Sequence, residues 1–528
     1  MKQILHIFRK DARHRWIEIV ASLALLALYA WRESKSWGPT RHTFPELLHF
    51  LWGLTVPLVP IAWCFLIVRV VHDENLVGDR QFWVTRPYEW KKLLAAKLLF
   101  VAVFINLPML VVDVVLLAKA GFRPRDHLLG LLWMQLLLTL FMTLPAAAAA
   151  AITSSTAQVL ILVLLVVMYM IGVASLGSIV PDSGVSAAQS VPGALGLAVL
   201  ITACVAAVTW QYARRQTWKA RGLLIIASVV IVILVVVTPY RMLVERAYPA
   251  IASGHPEPVV LSLGPTAEHA AKKHESPNEG TQVELIIPLR PTGIAKDSVV
   301  GVDGTQFVIT AADGTRWSSG WQGGGGSYFW PDRGNGYATV DVPTRFFDRA
   351  KAGASRVDVS FALSTYREED FRSLEVPRGE FRAPGVGICA PTLWGFTAAL
   401  QCRSAMKSPA VIASINTSAQ TCPSTPDKPA PPPGIRITEE LWSESSGLEE
   451  LGISPVRTFS LGFWNWADPN DKFSSAGACP GTSVTFSTPV LTQQVRTKVE
   501  FQGLRLEDYA HWNDASGGEV GFDFVFTR

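Results

Sequence analysis

The sequence predicts an α-helical polytopic membrane bundle of about seven spans, followed by a C-terminal all-β, sandwich-like extracytoplasmic region. Three observations carry that prediction. The 528 residues are 49% hydrophobic and only 17% charged, too apolar for an ordinary soluble protein of this length. Before Pro239 stand seven apolar runs, each approaching the roughly 20 residues that a helix needs to cross a hydrocarbon core about 30 Å thick. Beyond Pro239 the composition shifts to Gly, Pro, Ser, Thr and alternating patterns.

Residues 1–15, MKQILHIFRKDARHR, set Ile4, Leu5, Ile7 and Phe8 beside Lys2, Arg9, Lys10, Arg13 and Arg15, which predicts an amphipathic helix on the cytoplasmic face. A cleavable signal peptide is the competing reading, disfavoured because the basic part is long and no small-x-small site ends the apolar run. The spans, within a permease-like domain of residues 16–239, are 17–31, 47–68, 98–118, 128–152, 159–180, 192–210 and 222–238. The first is short and carries Glu18, but Trp16 and Trp31 suit the interfacial aromatic belt, and Arg15 and Arg32 can snorkel.

Lys and Arg set the orientation, since cytoplasmic flanks retain them. The N-terminus, the loop with Arg69, Arg80, Arg86, Lys91, Lys92 and Lys97, and the loop with Arg214, Arg215, Lys219 and Arg221 form the richer set. The alternate set holds Arg32, Lys35 and Arg41, then Lys119, Arg123 and Arg125, then the almost uncharged VPDSGVSAAQSV. The richer set is assigned to the cytoplasm, and an odd number of spans then places everything after Pro239 outside.

In that outer half, residues 240–281 read as a linker. The runs QVELIIPL, TQFVITAAD, YATVDVP and RVDVSFALSTY form a β module over 282–384, and a second β-rich series fills 385–528. Two sandwiches or one elaborated one fit equally. Cys389, Cys402, Cys422 and Cys479 all fall there, where an oxidising compartment permits disulfides in any of three pairings. Gly323 to Gly326 in WQGGGGSYFW read as a flexible hairpin turn, because no Gly-Lys-Ser/Thr follows. His269 and His274 are spaced wrongly for a metal pair on one helix face. No catalytic motif, metal site or cofactor site is expected, and no nucleic-acid partner.

Within the spans, Asp113 is the most expensive residue and reads either as a bundle-interior group or as one reaching the interface. Asn106 with Pro108, and Pro57 with Pro60, mark kinks whose freed carbonyls need partners. Between spans two and three, HDENLVGDRQFWVTRPYEWKKLL mixes acids, bases and aromatics. Arg86 before Pro87 divides it into two helical pieces, the second starting at Pro87 with Glu89 in its first turn. Phe82, Trp83, Tyr88 and Trp90 offer apolar area for docking a cytoplasmic partner, rimmed by Asp73, Glu74, Asp79, Arg80 and Arg86. A plain interfacial helix among headgroups is the alternative.

The basic N-terminal helix, the acidic segment after span two, GDRQFWVTRPYEWKKLLAAKLL with its Thr-x-Pro, and the Ser/Thr loop at 153–156 together resemble the permease subunits of type-2 ABC transporters. The resemblance covers residues 1–210 and implies a coupling helix over about residues 73–90 that contacts a separate cytoplasmic ABC ATPase. It also implies a homodimer or a second permease subunit and a bacterial inner (plasma) membrane, with lipid as surroundings. The seventh span and the large β region depart from the family's usual six spans. A membrane sensor or scaffold whose outer β region binds a ligand or partner is the alternative function.

Overall fold

The computed structural model describes residues 2–37, 46–74, 89–180, 182–251, 259–264, 282–331, 336–394, 397–416, 436–441, 454–464, 475–476 and 478–511. The first half is helical: α1 (Lys2–His14), α2 (Trp16–Ser36), α3 (Glu46–His72), α4 (Trp90–Lys119), α5 (Pro124–Ile152), α6 (Thr156–Ile179), α7 (Ser186–Arg214), α8 (Thr217–Val237) and the short α9 (Tyr240–Ala247). Five of these, α4 to α8, are long and apolar enough to cross a membrane. α2 has the length but carries Glu18, Arg32, Glu33 and Lys35, and in α3 the described apolar stretch is Val56–His72.

α1 is amphipathic, as its sequence requires, and turns its apolar face to the bundle. Ile7 is buried, and the Phe8 ring stacks on Phe104 at 5.6 Å and meets Phe100 edge-on at 6.4 Å. α6 is apolar all round: Leu160, Ile161, Leu164, Leu165, Met168 and Ile171 are all exposed, a surface that suits hydrocarbon rather than water.

The expected kinks take a particular form. α4 contains a π-turn at Ala102–Asn106 just before Leu107-Pro108, and α5 contains one at Thr139–Thr143 just before Leu144-Pro145. A proline lacks the N–H and crowds the preceding turn, and a π-turn relieves that clash without ending the helix. α3 carries Pro57 and Pro60 and stays one helix.

The second half is β-rich with antiparallel sheets. β1 (Val260–Leu263), β2 (Gln282–Thr292), β5 (Gly336–Pro343) and β16 (Ala510–His511) make one sheet. A six-stranded sheet runs in the order β11-β10-β15-β6-β3-β4, with β3 (Ser298–Thr310), β4 (Arg316–Phe329), β6 (Ala354–Glu375), β10 (Val411–Asn416), β11 (Arg436–Leu441) and β15 (Ser483–Arg505). A third joins β12 (Val456–Leu461), β9 (Thr397–Ala405), β8 (Gly387–Trp394) and β7 (Phe381–Ala383), and β13 (Phe463–Trp464) pairs with β14 (Ser475–Ala476).

The first two sheets share a core that includes Leu285, Ile287, Val340, Phe307, Val359 and Phe361. The six-stranded and third sheets share another, with Val386, Leu400, Ile415 and Phe486. β15 supplies Val484 and Phe486 to the second core and Val495 and Phe501 to the first, so one strand belongs to both. Cys389 and Cys402 lie opposite each other on β8 and β9 and form a disulfide. Cys479 is also disulfide-bonded, and Cys422 lies outside the described residues.

The glycine run differs from expectation. Gly323 and Gly324 lie inside β4, not in a hairpin turn. A Cβ on Gly324 would stand 1.8 Å from the Val302 carbonyl oxygen, and one on Gly323 would stand 2.9 Å from that of Gly184. Close approach of backbones, not flexibility, requires glycine there.

Candidate functional site

The helices place their connections at two ends. At one end α1 packs against the start of α4, Arg15 just after it bonds to the residue after α3, and the end of α5 and the start of α8 lie near the end of α3; at the other, three connections meet the sheets. α4 runs from one to the other, and the polar chemistry of the bundle lies along it.

At the α1 end, Lys97 is 5% exposed on a helix otherwise dominated by Leu and Ala. Its ammonium donates to Asp11 Oδ2 of α1 at 2.7 Å, to Glu74 Oε1 at 3.1 Å and to the Val70 carbonyl at 3.0 Å. All three of its protons are thereby used. Burial pushes the Asp11 carboxyl above its ordinary value, against the opposing pull of Lys97. Beside this group Arg15 donates from Nε to Asp73 Oδ2 at 2.9 Å, pairs with Asp73 through a second nitrogen, and reaches Glu18 at 3.1 Å. Its hydrogen bonds to Asp73 hold the guanidinium above its usual value.

The connection after α3 is therefore anchored on both sides. Asp73 and Glu74, expected on the rim of a docking surface, instead turn to Arg15 and Lys97. α4 starts at Trp90, not Pro87, and Glu89 is the extended residue before it, bonded to Lys92 at 2.8 Å. Trp90 is half-buried and packs on the bundle core. Asp79, Arg80, Phe82, Trp83, Arg86, Pro87 and Tyr88 lie outside the described residues. At the same end His72 Nε2 stands 3.2 Å from Thr153 Oγ1, and Arg221 donates twice, at 2.8 and 3.1 Å, to the Ile152 carbonyl. That cation satisfies an orphan carbonyl where α5 ends.

Midway, α4 and α5 are laced by side chains. Asn106 Nδ2 donates to Thr139 Oγ1 at 2.9 Å and to the Gln135 carbonyl at 3.3 Å. Gln135 Nε2 donates to Asp113 Oδ2 at 3.0 Å. Asp113 is fully buried, and its Oδ1 has no hydrogen-bond partner among the described residues. Asp113 of α4 is thus enclosed by protein and bonded to a side chain of α5.

Asn106 and Thr139 belong to the two π-turns, where the helical ladder is broken and side-chain amides and hydroxyls find free carbonyls. Gln135 and Thr139 were not singled out from the sequence. A signal existed: VFINLP at 103–108 returns as LFMTLP at 140–145, an apolar-Phe-apolar-polar-Leu-Pro repeat that marks both π-turns.

At the sheet end, α4 finishes under the third sheet. Arg403 of β9 donates to the Ala120 carbonyl at 3.1 Å and is gripped by both oxygens of Glu380, at 2.8 and 2.7 Å. Arg382 donates to the Gly121 carbonyl at 2.9 Å. Met406 takes a left-handed backbone conformation, φ 70°, and lies over Gly130 of α5.

A second grip holds the connection before α7. Asp182 Oδ1 accepts from the Trp321 N–H at 2.7 Å, and Gly184 lies against Gly323. A third lies after α9, where Asp303 Oδ2 accepts from the Tyr248 hydroxyl at 2.8 Å and from Ser364. Burial pushes both Asp303 and Tyr248 above their ordinary values.

Among the described residues no group of three or more His, Cys, Asp or Glu side chains is placed to hold a metal ion. The arrangement is suited to transmitting a displacement: a buried charge cluster, a polar seam at two π-turns and a capped helix end lie in series along α4. No family model, curated protein or solved structure matches the chain.

Proposed function

We propose that the chain is a membrane-spanning, permease-like subunit of an ABC transporter, driven by a separate cytoplasmic ATPase that docks on residues 73–90. In this reading the bundle has seven spans in a bacterial plasma membrane, the N-terminus lies in the cytoplasm, and the β region, folded as sandwiches, lies outside. The chain pairs with a second copy or a second permease and carries no ATPase of its own.

One observation supports this most. The described residues that flank residues 75–88 meet on one buried cation, since Glu74 precedes them, Lys97 follows them, and Lys97 binds both Glu74 and Asp11. A push on that segment is delivered to the start of α4 and to α1 together, and α4 continues to the capped carbonyls of Ala120 and Gly121.

The test is recovery of the full chain from membranes in gentle detergent, with ATP hydrolysis as readout. Wild type should bring down an ATPase, and Phe82→Ala/Trp83→Ala should lose it while still eluting as a single unaggregated species. ATP hydrolysis by the isolated chain, or no ATPase with wild type, sinks the proposal. In the second case the sensor reading gains, supported by the three grips of the β region on the bundle.

A further inference from the structure

The face of α1 turned away from the bundle carries charge without counter-charge among the described residues. His6, Arg9, Lys10, Arg13 and His14 are exposed and line a cleft of about 720 Å³. None of the five enters an ion pair among the described residues, because the nearby acids are taken: Asp11 and Asp73 also border the cleft, but Lys97 holds the first and Arg15 the second. The acids at this end are held inward by Lys97 and Arg15, and the remaining bases of α1 face outward.

The neighbours of these bases are apolar and exposed. Leu5, Arg9 and Arg13 follow at four-residue spacing along α1, and Trp16, Ile17 and Val20 continue beyond Arg15 with more than half of their surface open. Residues four apart share a helix face. Large apolar side chains beside unpaired bases are the arrangement that lies at a membrane surface, rings and branches among acyl chains and cations at headgroup level.

We propose that this cleft binds the phosphate of an anionic lipid headgroup, with Arg9, Lys10 and Arg13 as its charge partners and His6 and His14 as neighbouring ring donors. A soluble phosphate compound shares the charge chemistry but gains nothing from Leu5, Trp16 and Ile17, which is why the lipid is the favoured source. Occupancy pins α1 to the bilayer, and through Asp11 and Lys97 it also restrains the start of α4. The inference does not depend on whether an ATPase docks nearby.

Native mass spectrometry of the full chain in detergent tests it with three probes: phosphatidylglycerol, phosphatidylcholine of the same acyl chains, and free glycerol phosphate. Wild type should prefer phosphatidylglycerol. Arg9→Gln/Lys10→Gln/Arg13→Gln should weaken that binding about a hundredfold, as removal of three bases near an anionic surface implies. Where the triple variant does not elute as wild type does, Arg13→Gln alone should weaken it about fivefold. Equal binding of the two lipids by wild type, or an undiminished preference in a folded variant, refutes the site. Glycerol phosphate bound as tightly as the lipid reassigns it to a soluble phosphate and refutes the lipid proposal.

Discussion

The two ends of α4 are held by different physics. At the α1 end the grip is ionic and buried: Lys97 is shared between Asp11 and Glu74, and removal of any one charge strands the others. At the sheet end the grip is directional and made to the backbone: Arg382 and Arg403 cap the Gly121 and Ala120 carbonyls, and at the connection before α7 Gly184 packs backbone against backbone on Gly323. A charge cluster can be reset by a proton or a partner's charge. A backbone contact cannot, so the sheet end behaves as the fixed mount and the α1 end as the movable one.

The largest expected effect breaks the movable end. Lys97→Met leaves Asp11 and Glu74 buried without their cation, at a cost of about 3–5 kcal/mol. Trypsin should then cut faster at Arg9 and Arg13, while proteolysis of the β region stays unchanged. Protection of α1 in that variant would mean that charge does not hold it.

The next test is for the backbone contacts within the sheets on which that fixed end rests. Gly324→Ala drives a methyl into the Val302 carbonyl and should cost about 3 kcal/mol or more by parting β3 from β4. Gly130→Ala meets the flexible Met406 side chain, its Cε first at 2.8 Å, and should cost less than about 1 kcal/mol. Thermal unfolding of the two variants separates a rigid contact from an adjustable one, and equal losses would erase the distinction.

The smallest effect sharpens the comparison by pH. Asp303 has a native value raised by burial above its ordinary 3.8, so its contribution to stability is complete below that ordinary value and is lost as pH rises through the native one. Asp303→Asn should flatten that dependence, by on the order of 1 kcal/mol per unit of raised pKa. A parallel pair of melting profiles across that window would show that the Tyr248–Asp303 junction does not titrate.

Much of the bundle was legible because hydrophobic length is a local property: every predicted span coincides with a helix, and five meet the length and apolarity of a crossing. Asp113 and Asn106 stood out because polar groups are costly among apolar ones. Their partners Gln135 and Thr139 did not, since only the pairing of two π-turns gives them meaning. The charge cluster was hidden for a related reason. Asp11, Arg15 and Lys97 are unremarkable in sequence and meet only when α1 folds back on α4. The glycine run misled because local flexibility and close backbone contact call for the same residue.

β15 has a consequence for biosynthesis. It pairs with β6 from Ser483 opposite Glu375 to Arg505 opposite Ala354, so more than a hundred residues separate the strands of the longest ladder. Closing so long a loop is slow, and neither apolar core is complete before its last strand is synthesised. Until then β6 presents an open edge beside the growing chain, exposed to pairing with another copy. Ribosomal pausing or truncation ahead of residue 483 would leave the whole β region in that unfinished, aggregation-prone state.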